Sequence, residues 1–327
     1  MIEQFTQLHE VFKSKHSFVI TTHVNPDGDA IGSEVALALF LKDKGKKVTI
    51  INQSETPDNL LFLTKLFPVL TYNGNLDHHI LNVDCFCVVD TNSPKRFSAM
   101  ADTVQKSKAY KICIDHHLEQ EHFADQYIVD TNVPATSELL YRIFISDNPN
   151  TITKPIAEAL YAGIMTDTGS FKFPKTDSET HIITAHLLKC GVDPYAIYQH
   201  IYESGEINKL HLLGKALETI QVHNNGKIAS MVLPRSIFSE THTNEADVDN
   251  LTQYVLSINK VVVGLVFVEL VDGVKVSFRS KGDIAINTVA KQFGGGGHKN
   301  ASGARLKNIG LQDAVTAVLD KTKEILL

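Results

Sequence analysis

The sequence predicts an α/β protein built as a doubly wound, mainly parallel sheet domain, a helical linker and a smaller α/β domain. Three observations carry this. Short β-branched runs alternate with helical patterns from about residue 17 to residue 200. A polar helical stretch then interrupts the pattern, and the chain restarts with a hairpin signal at Asp272-Gly273. Finally, 327 residues suit two domains better than one, and 43% apolar content is enough for buried cores. The expected boundaries are 1–195, 196–225 for the linker, and 226–327.

The first strand is FVITT before His23, and Ile31, Val35, Ala38 and Leu41 then mark one face of a helix that Gly45 ends. KKVTIIN follows as the second strand. CFCVV before Asp90 and YKICI before Asp115 read as buried parallel strands, and so does LYAGIMT before Asp167. Thr136, Ser137 and Glu138 read as capping residues for the helix carrying Leu139, Leu140 and Ile143. Another helix spans 178 to 190, ending at Cys190-Gly191. The second domain opens with IASMVL, a helix around Val248 to Ile258, and the hairpin through residues 261–280. In its last strand Val274, Val276 and Phe278 alternate with Lys275, Ser277 and Arg279, which puts Arg279 opposite the apolar row. The helix INTVAKQF, four glycines with His298, and the strand ASGARL complete the chain.

Four apolar runs thus end on aspartate or histidine, and ligands in open α/β sheets sit outside the carboxyl ends of strands. His23 to Asp29 offers three potential metal ligands within seven residues, and Asp115-His116-His117 offers three in succession. Asp27, Asp29, Asp90 and Asp167 bring four negative charges, with neutral nitrogen from His23 and His116. Two divalent cations would neutralise such a set, which would otherwise repel and resist desolvation. Mixed carboxylate and imidazole ligation favours Mn²⁺ over Mg²⁺ or Co²⁺. Two such ions about 3.5–4 Å apart activate water and clamp a phosphoryl group, so the expected chemistry is phosphoester hydrolysis. Gly28 is expected to let the backbone turn so that both flanking carboxylates face inward. Glycines 294–297 let backbone N–H groups approach a phosphate, with His298 as a further donor, and Arg279 offers a planar fork for a terminal phosphate.

Other classes are excluded or disfavoured. The chain has no Gly-x-Ser-x-Gly elbow and no phosphate-binding Gly-Lys-Ser/Thr loop. With 31 basic against 37 acidic residues and a formal charge of −6, it lacks the positive field that long nucleic acid requires. No apolar run of about 18 residues exists to span a membrane, and the N-terminus carries no secretory pattern, so a cytoplasmic protein is expected. Cys85, Cys87, Cys113 and Cys190 read as small hydrophobes in a reducing compartment. His78-His79 and the helix-borne His181, His186, His200 and His211 read as surface or packing residues.

Taken in order, HVNPDGDA, VVDTNSPKR, CIDHH, GIMTDTGSF and FGGGGHKNASGA resemble the motifs of the DHH phosphoesterase family over nearly the whole chain. The resemblance implies one ion held by His23, Asp27 and Asp90, and another by Asp29, Asp90, His116 and Asp167. It also implies that Asp115 orients the histidines and that His117 stands by the scissile phosphate as stabiliser or proton donor. Arg279, Ser280, Gly295, Gly296, Gly297 and His298 are then the substrate-binding residues, facing the metals across an interdomain cleft. Within the family, chain length and the absence of accessory segments resemble the stand-alone nanoRNase and pAp phosphatase group. That group degrades short RNA oligonucleotides to mononucleotides and removes the 3′-phosphate of adenosine 3′,5′-bisphosphate (pAp). A cyclic-di-AMP or linear pApA phosphodiesterase is the alternative, and a nucleotide-binding regulator without turnover is the remote one. The resemblance does not fix exonuclease polarity, and a homodimer is common among such relatives.

Overall fold

The computed structural model describes residues 1–118, 120–248 and 251–326. They divide into two compact units, Met1–Ser204 and Gly205–Leu327.

The first unit holds β1 (Ser17–Thr21), β2 (Lys47–Asn52), β3 (Val69–Thr71), β4 (Cys85–Val89), β5 (Tyr110–Asp115) and β6 (Gln126–Val129). All pair in parallel, in the order β3-β2-β1-β4-β5-β6. The order reverses between β1 and β4, and at such a switch point the loops leaving the two strands part and open a crevice. Around the sheet lie α1 (Ile2–Ser14), α2 (Gly28–Asp43), α3 (Leu61–Thr64), α4 (Asp77–Leu81), α5 (Ser98–Lys106), α6 (Thr136–Asp147), α7 (Lys154–Asp167), α8 (Ser178–Lys189) and α9 (Pro194–Tyr202).

Both faces of this sheet are buried, and that is why its strands read as unbroken apolar runs. In β4, Cys85, Cys87 and Val89 enter the large core shared with α1, α2, α6 and α7, while Phe86 and Val88 enter a second core with Met100 and Val104 of α5. Helix α2 is itself buried on almost every side. It lies close against α7, where a Cβ at Gly32 would come within 2.5 Å of the Ala159 carbonyl oxygen. Gly28 plays a similar part: a Cβ there would fall 2.5 Å from the Thr166 side chain. The helix approach, and not a backbone turn between two aspartates, excludes a side chain at Gly28.

The segment before Asp167 is the helix α7, where a strand was expected. An apolar run by itself does not separate a buried strand from a buried helix. Here a run of fourteen residues with three alanines, and with Pro155 in the first turn, favours the helix.

The second unit holds β7 (Gln221–His223), β8 (Ile228–Leu233), β9 (Val263–Glu269), β10 (Gly273–Ser280), β11 (Gly296–His298) and β12 (Ala301–Lys307). Their order is β11-β12-β10-β9-β8-β7, antiparallel except for the β8–β9 pair. Its helices are α10 (Ile207–Glu218), α11 (Ser236–Thr241), α12 (Thr252–Leu256), α13 (Asn287–Gln292) and α14 (Leu311–Glu324). The helix expected around Val248 to Ile258 falls partly on residues 249 and 250, outside the described residues, and α12 lies in its remainder. The expected linker 196–225 is divided: α9 lies wholly in the first unit, while α10 and β7 belong to the second.

The hairpin at Asp272-Gly273 is present, with the Leu270 N–H donating to the Gly273 carbonyl at 2.8 Å. Gly273 is required there, because at φ 153° its Cβ would fall 1.9 Å from the Leu306 carbonyl oxygen. Val274, Val276 and Phe278 pack into one core with α13 and α14. On the opposite face, Val266 and Val268 of β9 pack under α10 and α12.

Candidate metal centre

Three strand ends and two helix ends supply the polar groups of the first unit. His23 lies two residues beyond β1 and is buried. Its Nδ1–H donates to the Val24 carbonyl at 2.9 Å, which leaves Nε2 as a bare lone pair 3.5 Å from Asp90 Oδ2 and 4.0 Å from Asp27 Oδ2. Burial pushes the His23 imidazole below its ordinary pKa, against the pull of Asp27. A neutral ring with its free nitrogen turned inward is the form that ligates metal.

Asp27 caps α2, accepting the Asp29 and Ala30 N–H groups on Oδ1 at 3.1 and 3.0 Å and leaving Oδ2 toward His23. Asp29, two residues on, is buried. Its Oδ2 accepts the Thr136 N–H at 2.6 Å, and its Oδ1 accepts the Ser137 N–H at 2.9 Å and the Ser33 hydroxyl at 3.3 Å. The start of α6 is therefore capped by a carboxylate from α2. The expected caps do not serve: the N-cap is Ala135, and no side chain of its own caps the helix. Gly163 of α7 leaves room for this junction, since a Cβ there would sit 2.0 Å from Ser137 Oγ and 2.8 Å from Asp29 Oδ1.

Asp90 follows β4 with φ 57°, a left-handed backbone that Asp tolerates better than most residues. Its Oδ1 accepts the Thr136 hydroxyl at 2.9 Å and lies 3.6 Å from His116 Nε2, while Oδ2 faces His23. Burial, then Asp29, Asp27, Asp167 and Asp115, push the Asp90 carboxyl well above its ordinary range. Burial and the charges of Asp29 and Asp27 do the same to Asp167, which ends α7 with Oδ2 3.3 Å from His116 Nε2. Burial lowers the His116 pKa, and its Nδ1 faces the Val133 carbonyl at 3.4 Å. Asp115, with no solvent exposure, accepts the Nδ1–H of half-buried His117 at 2.7 Å.

Among the described residues, three groups are placed to hold a metal ion: His23, Asp27 and Asp90; Asp29, His116 and Asp167; and Asp90, His116 and His117. Asp115 belongs to none of them. The donor set fits divalent cations, because crowded carboxylates driven toward protonation and neutral imidazoles are what a bound cation would relieve and use. Thr136, Ser137, Ser33 and Gly163 escaped the sequence reading, since their roles depend on helices brought together from distant positions.

In the second unit, Arg279, Ala301 and His298 stand directly opposite one another across β10, β12 and β11, so Arg279 and His298 share one face of the sheet. Arg279 is half-buried, and its Nη1 donates to the Phe278 carbonyl at 3.0 Å. The Ser280 hydroxyl donates to the Ile284 carbonyl at 2.7 Å and accepts from Asn300 Nδ2 at 2.9 Å, fixing the turn after β10. The glycine run is partly strand, since Gly296–His298 form β11. Gly295 and Gly297 admit no side chain, their Cβ positions lying 2.1 and 2.6 Å from the carbonyl oxygens of Gly303 and Ala301. Around Gly296 the space is open.

The four cysteines are free thiols, and among the described residues no helix is long and apolar enough to cross a membrane. The chain is 28% identical to the bifunctional oligoribonuclease and PAP phosphatase NrnA of Bacillus subtilis, over 96% of this chain and 97% of that one. It is 30% identical to the Thermus thermophilus protein of the same name, over 98% and 94%. A crystal structure of an exopolyphosphatase-related protein from Bacteroides fragilis superposes with a TM-score of 0.94 at 31% identity, covering 98% of this chain and 96% of that one. The model of the DHH family N-terminal domain matches residues 17–164 and that of the DHHA1 domain matches 225–326, so the chain belongs to the DHH family and carries both domains in order.

Proposed function

We propose that this chain is a metal-dependent phosphoesterase that cleaves short RNA oligonucleotides to mononucleotides and removes the 3′-phosphate of pAp. The observation that carries the chemistry is Asp90, whose carboxylate turns one oxygen toward His23 and the other toward His116. A carboxylate so divided suits two cations held side by side. His23, Asp27 and Asp90 would hold one, and Asp29, Asp90, His116 and Asp167 the other. Mn²⁺ matches the mixture of nitrogen and oxygen donors best, with Mg²⁺ and Co²⁺ as substitutes. When bound, the pair supplies an activated water and neutralises charge on phosphoryl oxygens.

The chain's own side chains supply the rest. Asp115 accepts the Nδ1–H of His117 and so fixes the ring, and His117 would stabilise a phosphate or protonate a leaving oxygen. In the second unit, Arg279 and His298 on one sheet face, with the glycines 295–297 and the turn fixed by Ser280, bind the terminal phosphate and nucleotide. The relatives named for paired oligoribonuclease and PAP phosphatase activity support this choice of substrates. The test compares kcat/KM for pAp, a ribonucleotide dimer, a pentanucleotide RNA and cyclic-di-AMP with Mn²⁺. The dimer and pAp should lead; a dominant rate on cyclic-di-AMP would move the substrate to cyclic dinucleotides, and turnover of none would end the proposal.

A further inference from the structure

Thr136 touches two of the proposed ligands at once. Its hydroxyl donates to Asp90 Oδ1 at 2.9 Å, and its backbone N–H donates to Asp29 Oδ2 at 2.6 Å. All three residues are buried, and Thr136 itself has no solvent exposure. A carboxylate rotates easily about its last torsion, so nothing in the aspartate itself fixes which oxygen faces which neighbour. Here the plane matters, because Oδ2 lies 3.5 Å from His23 Nε2 and Oδ1 lies 3.6 Å from His116 Nε2. Both rings turn Nδ1 toward carbonyl groups, which holds each ring from its far side and leaves the carboxylate plane to other donors. The Thr136 hydroxyl can steer it.

We infer that Thr136 is a positioning residue that fixes the plane of the Asp90 carboxylate, so that each oxygen serves one of the two donor groups. The inference rests on the metal-binding reading above. The first turn of α6 then links the two donor groups. The backbone of Thr136 is anchored on Asp29, a donor of one group, and its hydroxyl orients Asp90, which the two groups share.

The experiment is calorimetric titration of the metal-free full-length protein with Mn²⁺, on the wild type and on Thr136→Val, Thr136→Ser and Asp90→Asn, each checked for folding by circular dichroism. Val keeps the branched shape and loses the hydroxyl; Ser keeps the hydroxyl and loses the methyl. Thr136→Val should weaken Mn²⁺ binding by about 10- to 100-fold, with Thr136→Ser staying close to wild type. Thr136→Ala replaces the valine variant in this comparison if valine fails to fold. Wild-type affinity in the folded variant lacking the hydroxyl overturns the inference, and so does equal weakening in the serine variant, which would assign the effect to packing. The underlying reading fails separately, if wild type takes up no Mn²⁺ or Asp90→Asn takes it up equally well.

Discussion

The two units hold their polar groups in opposite ways. In the first, the groups stand at the ends of β1, β4, β5, α2 and α7, face one another, and are mostly withdrawn from water. In the second, Arg279 and His298 stand on the face of the sheet in a cross-strand row, with His298 exposed beside glycines. Element ends converge on a point, which suits chelation of a small ion. A strand face spreads its groups at the spacing of neighbouring strands, about 4.8 Å, which suits an extended ligand such as a nucleotide phosphate. The first arrangement concentrates like charge, and the second does not.

That contrast can be broken most severely at Asp90. Asp90→Asn should reduce Mn²⁺-dependent hydrolysis to the metal-free background while the circular dichroism spectrum is kept, because Asn also accepts a left-handed backbone. Retained turnover would remove the chelation side of the comparison. Arg279→Ala should act through binding, raising KM for substrates with a terminal phosphate and sparing kcat. A charge-assisted hydrogen bond is worth about 1.5–3 kcal/mol, roughly 10- to 100-fold in KM. Equal wild-type kinetics on substrates with and without that phosphate would refute the role.

Packing gives the next test. Gly163→Ala would press a methyl onto Ser137 and Asp29, so unfolding should become easier by about 1–3 kcal/mol, seen as a lower Tm. Gly296→Ala meets nothing within 4 Å and should leave the Tm unchanged. Equal shifts in the two variants would mean that the junction of α2, α6 and α7 is no tighter than the glycine strand.

The smallest effect concerns pH. The folded Asp90 carboxyl titrates well above its ordinary value of 3.8, so the folded protein binds more protons there than the unfolded chain. The stability tied to that group is full below pH 3.8 and is lost as pH rises through the higher folded value. In metal-free protein, the Tm of wild type minus that of Asp90→Asn should therefore fall as pH rises from acid toward neutral, and Mn²⁺ should oppose the fall. A difference that does not change with pH would show that the carboxylates of the first unit do not strain it.

Much of the first unit was legible because its strands are short, β-branched and buried on both faces, so each announces both itself and its polar tip. His23, Asp90, Asp115 and His116 were visible for that reason. Asp167 was found for a partly mistaken reason, since the run before it is a helix whose length and alanine content signal its type. Thr136 and Ser137 looked like ordinary caps because local sequence cannot show that Asp29, over a hundred positions earlier, accepts their N–H groups. In the second unit the alternation along β10 placed Arg279 on the correct face, but pairing of Gly296–His298 with β12 was hidden. Glycine carries little strand preference of its own, and the close approach of β12 supplies the reason for the pairing.

The left-handed backbone at Asp90 also bears on which substitutions the position can take. A left-handed backbone at φ 57° costs most side chains on the order of 1–3 kcal/mol, so most substitutions at this position strain the fold as well as the site. Asparagine is the exception, since it keeps the backbone and discards the charge. An Asp-to-Asn change here therefore removes a charge from the proposed metal centre at little cost to the scaffold.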